Sequence, residues 1–259
     1  MRFLFYVFLL NFFFLSISAC SLPKSKKAIS GNKKDITVHL RSKVINIPTC
    51  EGHKRSVLCD HETNGGGWIV IQQRMNGKTL FWNRTWVEYR DGFGSIGMVA
   101  IPPLSNSNFY IGNLLIHQLT SRNATLRIEL IGDRNPNSTA PDCFYFQEYS
   151  IRVDDESENF TLHIWLDSDK NKRIGNGTHG YYDITYSDGV PFSTIDRVNN
   201  PDLECQKKFR IGGWWSQFCG MGALNGEYEP QKWGDGFGLF FVVNGQFVIN
   251  PRKTRMLIR

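Results

Sequence analysis

The chain has 259 residues, with 30 Lys and Arg against 24 Asp and Glu and with 14% aromatic residues. That length buries a sizeable core, and the composition excludes intrinsic disorder, coiled coil and collagen for the bulk of the chain. The charge is uneven. Residues 24–59 carry nine basic and two acidic side chains, whereas residues 60–259 carry 20 and 22, so the body lacks the basic face that nucleic acid requires.

Residues 1–20 read as a secretory signal peptide: Arg2, then an apolar run from Phe3 to Leu15 broken only by Asn11, then small residues that place cleavage between Ser18 and Ser21. The run is short for a membrane span, so the expectation is a secreted, extracellular chain with no membrane insertion. Five Asn-x-Ser/Thr sequons, at Asn83, Asn123, Asn137, Asn159 and Asn176, agree with export and glycosylation. Residues 21–43 read as a basic flexible arm.

Val44, Ile45 and Ile47, then Val57 and Leu58, predict two short strands around a turn. Gly65-Gly66-Gly67 leads into a buried strand at Trp68–Ile71, and Asn76-Gly77 is a hairpin signal. Thr85 with Glu88 forms a capping box for a short helix. Helical spacing of Ile111, Leu114, Leu115 and Leu119 predicts a second helix over 110–120. Alternation predicts strands at 126–130, 149–153 and 160–164, and Phe240–Val243 with Phe247–Ile249 form a closing hairpin. From about 170 to 237 periodicity fades into a loop-rich, Gly- and aromatic-rich region suited to binding. The whole reads as an α+β domain over 44–259.

Catalytic patterns fail. Gly92-Phe93-Gly94-Ser95-Ile96-Gly97 matches a dinucleotide fingerprint but follows no strand, and the chain has neither GxSxG nor HExxH. Asp167, Asp169 and Asn171 open like a calcium loop, but Lys172 stands where that loop needs Gly. The chain is expected to be no enzyme and to carry no cofactor. Its six cysteines include no CxxC pair, and export makes disulfides their default state. Removal of Cys20 with the leader would leave five, with one thiol free or bonded to another chain.

Cys59-Asp60-His61-Glu62-Thr63-Asn64-Gly65-Gly66-Gly67-Trp68, Trp86 through Gly94, Ile111-Gly112-Asn113, Phe192-Ser193-Thr194-Ile195-Asp196-Arg197, Cys205…Trp214-Trp215…Cys219 and Asn225-Gly226-Glu227-Tyr228 occur in this order. The series resembles the fibrinogen C-terminal domain family, shared by ficolins, tachylectins, angiopoietins, tenascins and fibrinogen chains. The resemblance implies that family's globular fold, a mixed and mainly antiparallel sheet with short helices and a loop-rich C-terminal binding region. It implies a Cys205–Cys219 disulfide and a first disulfide joining Cys59 to an earlier cysteine, for which Cys50 and Cys20 are the candidates; Cys50 is the expected partner, with Cys143 unpaired. It implies a lectin-like recognition protein for acetylated or acidic glycans, of innate-immune type, with a signalling or matrix ligand of a cell-surface receptor as the alternative. The ligand face expected from it comprises Lys208, Trp214, Trp215, Cys219, Gly220, Tyr228 and Asp235. Calcium is the one metal it implies, at Asp196, Asn200 and Asp202, and Val198 and Asn200 replace two carboxylates of the family's loop. Without a collagen or coiled-coil stalk the chain is expected to be a monomer or a thiol-linked dimer.

Overall fold

The computed structural model describes residues 43–49, 52, 54–96, 107–169, 172–176, 183–199, 204–234, 237–243 and 247–259. The leader over 1–20 and the arm up to residue 42 lie outside them.

The chain opens with an antiparallel hairpin of β1 (Lys43–Pro48) and β2 (Lys54–Asp60), with Lys43 opposite Cys59 and Pro48 opposite Lys54. β3 (Trp68–Arg74) follows, buried along its whole length. Asn76-Gly77 does not make the expected hairpin, because β3 pairs with β2, β5 and β12. Gly77 is needed for close approach: a Cβ there would stand 2.7 Å from the Tyr228 ring.

Helix α1 (Trp86–Asp91) carries the expected capping box, with Thr85 and Glu88 exchanging backbone-to-side-chain bonds. Then come β4 (Phe93–Gly94), β5 (Phe109–Tyr110), α2 (Asn113–Thr120), β6 (Ala124–Asp133), β7 (Phe144–Val153), β8 (Leu162–Trp165), the helical turn α3 (Cys205–Lys208), β9 (Gly222–Ala223), β10 (Phe240–Val243), β11 (Phe247–Ile249) and β12 (Pro251–Ile258).

The main sheet runs β1-β2-β3-β12-β6-β7-β8, with β4 and β5 attached beside β3, and a small sheet runs β11-β10-β9. Pairing is antiparallel in each ladder among the described residues. The expected α+β, mainly antiparallel architecture is the one found. The last strand is central: β12 lies between β3 and β6.

The loop-rich region is tied to the main sheet by buried polar groups of β3. Gln72 donates to Leu224 O at 3.0 Å and accepts from the Thr254 hydroxyl at 2.9 Å. Arg74, fully buried, donates to Leu224 O at 3.1 Å and Gly226 O at 2.5 Å. Burial with no carboxylate partner lowers the Arg74 pKa to about 9.

Cys205 and Cys219 are bonded, and Cys143 is the free cysteine among the described residues. Cys59 is also disulfide-bonded. Cys50, the partner expected for it, lies outside the described residues.

Candidate recognition face

The Cys205–Cys219 loop begins at α3, whose Lys208 side chain is exposed. At its far end Phe218, Cys219 and Gly220 take φ of 48°, 64° and 82° in succession. The Gly220 N–H donates to Gln217 O at 2.7 Å and closes this turn. Two consecutive non-glycine residues at positive φ are strained, and such strain persists where surrounding bonds impose it. Here the disulfide and the turn do so. The result is an aromatic ring held out in water: Phe218 is 68% exposed.

Beside this loop lies a pair of rings, Phe209 and Phe237, edge to face at 5.0 Å. The Gly238 N–H donates to Phe209 O at 2.7 Å and joins their two segments. Lys208 Nζ lies 5.3 Å from the Phe209 ring and Lys232 Nζ 5.5 Å from the Phe237 ring. Arg210 pairs with Glu227 at 2.7 Å, so the cationic character of the face rests on the two lysines. Phe209, Phe237 and Lys232 were absent from the expected site; the Lys207-Lys208-Phe209 run was the available signal.

The tryptophans expected to line a pocket fill the core instead. Trp214 and Trp215 are each 1% exposed and pack edge to face at 5.5 Å. The Trp215 indole N–H donates to Phe160 O at 2.7 Å, and its ring meets Phe192 at 5.0 Å. A buried indole with its one donor satisfied is a packing group, as Trp215 is, and both tryptophans belong to the main core, whereas Cys205, Phe209 and Cys219 pack in a separate cluster. Tyr228 also points elsewhere. Its hydroxyl donates to Arg252 O on β12 at 2.8 Å, and the Arg134 guanidinium covers its ring at 3.8 Å. Asp235 lies outside the described residues, as do Asn200 and Asp202.

Asp196, expected to hold calcium, has one carboxylate oxygen engaged within the protein. Its Oδ1 accepts from the Trp86 N–H at 2.8 Å and from the Thr194 hydroxyl at 2.7 Å. It thereby satisfies a donor in the first turn of α1 that the helix itself leaves unpaired. The Val198 side chain offers no oxygen, and no cluster of three His, Cys, Asp or Glu among the described residues is arranged to hold a metal.

The sequons divide. Asn83, Asn123 and Asn137 are exposed. Asn159 is half-buried and accepts from Arg197 at 2.5 Å. Asn176 uses its amide against the backbone of β7, accepting from the Phe146 N–H at 2.8 Å and donating to Phe144 O at 3.1 Å.

The sequence profile described as "Fibrinogen beta and gamma chains, C-terminal globular domain" matches residues 36–259. The human fibrinogen alpha chain is 36% identical over 177 residues, covering 68% of this chain and 19% of that protein. Mouse tenascin-R is 33% identical over 207 residues, covering 79% of this chain and 13% of that protein. The chain therefore spans a fifth or less of these relatives. Among solved structures, the fibrinogen-like globe domain of human ANGPTL6 superposes with a TM-score of 0.67 at 26% identity, covering 86% of this chain and 90% of that one.

Proposed function

The chain belongs to the fibrinogen C-terminal domain family, and from that premise we propose that it is a secreted, non-enzymatic recognition protein whose C-terminal face binds the surface of an extracellular protein partner. The observation that carries this reading is Phe218, an aromatic ring 68% exposed on a loop braced by a disulfide. Aromatic anchors of this kind dominate interface energetics, and a rigid loop presents one at small entropic cost. Lys208 and Lys232 give the face a preference for acidic partners. The likeness to tenascin-R and to the ANGPTL6 globe domain supports a receptor or matrix ligand.

A second reading, lectin-like binding of acetylated or acidic glycans at this same face, is favoured by the lysines lying over Phe209 and Phe237. Ring faces pack against sugars while an ammonium meets a carboxylate. A cell-surface protein screen run beside a glycan array, each with the parent chain and with Phe218→Ala and Lys208→Glu, separates the two. Loss of a protein signal in both variants supports the first reading, and loss confined to the glycan array supports the second.

The chain is proposed to act as a monomer. Cys143 is the described thiol available for a covalent dimer, but burial and then Asp133 push its pKa up. Its thiolate, the reactive form, is thereby disfavoured. Among the described residues no helix is long and apolar enough to cross a membrane.

A further inference from the structure

We propose a second binding site, for a sulfated or uronate-rich oligosaccharide, in the cleft between the β1–β2 hairpin and the β4–β5 ribbon. It goes beyond the C-terminal face and shares no residue with it. The cleft has a volume of about 440 Å³. That lies within the range of roughly 300–1,000 Å³ typical of ligand sites. Val44, Phe93, Ser95 and Ile111 line it, together with the exposed Lys54 and Arg55. A smaller cavity of about 150 Å³ continues past Arg55 and Ile111 toward α2. Two lobes joined at a guanidinium suit an extended chain of sugars better than a single ring.

Charge selects the class of ligand. Lys54 and Arg55 are exposed on a hairpin whose described residues, up to Cys59, include a third cation, Lys43, and no carboxylate. The ion pairs at this end of the molecule, Arg84–Glu88 and Arg90–Asp91, do not involve them. The hairpin also belongs to the stretch over 24–59 that holds nine of the chain's 30 basic residues. Arg offers a planar fork for sulfate or carboxylate oxygens and Lys a point charge. Asp91, which lines the smaller lobe beside Arg55, is itself paired with Arg90, so Lys54, Arg55 and Arg90 outnumber the one carboxylate and an anionic ligand matches the excess.

The test measures binding of the full secreted chain to a sulfated heparin-derived hexasaccharide, to its desulfated N-acetylated counterpart, and to phosphatidylserine vesicles. The parent is expected to bind the sulfated sugar in a salt-sensitive manner and the desulfated one weakly. Lys54→Glu with Arg55→Glu, both surface changes, should weaken binding by about tenfold or more at an unchanged melting temperature. Ser95→Lys, which adds a cation inside the cleft, should tighten it, whereas Leu80→Lys, an exposed position outside the cleft, should not. Lys208→Glu should bind as the parent does, which keeps this result separate from that of the C-terminal face. The proposal is overturned if the double variant binds like the parent, if Leu80→Lys tightens as much as Ser95→Lys, or if the double variant loses vesicle binding while keeping the sugar.

Discussion

Arg255 stands between Asp60 and Glu129, giving one terminal nitrogen to each carboxylate, at 2.5 Å and 3.2 Å. The three belong to β12, β2 and β6, so one guanidinium ties the central strand to strands on both sides of it. The network continues through Arg127, which bonds Glu129 at 2.8 Å and Glu148 of β7 at 3.0 Å. Burial raises the Asp60 pKa, but the Thr63 backbone bond and Arg255 outweigh it and hold the carboxyl below its ordinary value of 3.8.

The first prediction concerns acid stability. A depressed carboxylate pKa contributes stability that is present above the unfolded value near 3.8 and is lost as pH falls through the lower folded value. Arg255→Leu leaves the buried Asp60 carboxylate without its cation, while Glu129 keeps Arg127, and should cost about 3 kcal/mol at pH 7. Urea titrations of parent and variant should converge as the pH is brought below the ordinary Asp60 value. A gap that stays constant into acid would show that Arg255 acts through packing alone.

The second prediction concerns Cys59. Cys59 is disulfide-bonded, Cys205 is bonded to Cys219 and Cys143 is free, which leaves Cys50 and Cys20 as its intrachain candidates. Non-reducing peptide mapping should recover Cys59 joined to one of these two and Cys143 as a free thiol. A peptide joining Cys59 to Cys143 would contradict this.

The third prediction concerns calcium. Because Asp196 serves the Trp86 N–H and the Val198 side chain supplies no oxygen, the melting temperature should be the same in millimolar calcium and in chelator. Asp196→Ala should still destabilise by about 1–3 kcal/mol, with or without calcium, by stripping an acceptor from the start of α1. A calcium-dependent rise of several degrees would contradict this assignment.

Features set by neighbouring residues were legible in the sequence. Thr85 and Glu88 announce a helix start because the capping box is local, and the alternation at 126–130 and 149–153 announces strands because one face must be buried. β12 was not read as a strand from its pattern. Pro251, Arg252, Lys253 and Arg255 look like a solvated tail, and it takes the ladders to β3 and β6 and the distant carboxylates of Asp60 and Glu129 to make a central strand of it. The Cys205–Cys219 loop was found, but the direction of its side chains was not. Whether Trp215 lines a pocket or fills the core depends on Phe160 O, 55 positions away in sequence, and no local pattern encodes that. Phe218 escaped notice for the converse reason: an apolar residue next to a cysteine reads as buried until the backbone turn at 218–220 turns it outward.

The fourth prediction separates support from contact within that loop. Trp215→Ala should destabilise by about 3–5 kcal/mol, the cost of emptying a core aromatic site. Phe218→Ala should leave the melting temperature within a degree or two of the parent, because little of its surface is buried. Equal destabilisation by the two would mean that Phe218 packs in solution.

The most direct test of recognition through the C-terminal face is flow cytometry of the labelled secreted chain on cells that bind it, comparing the parent with Phe218→Ala combined with Lys208→Glu, each confirmed to melt like the parent. The account predicts that cell binding falls by about tenfold or more in the double variant, equivalent to about 1.4 kcal/mol or more of interface energy. Undiminished binding by a variant that melts like the parent would contradict it.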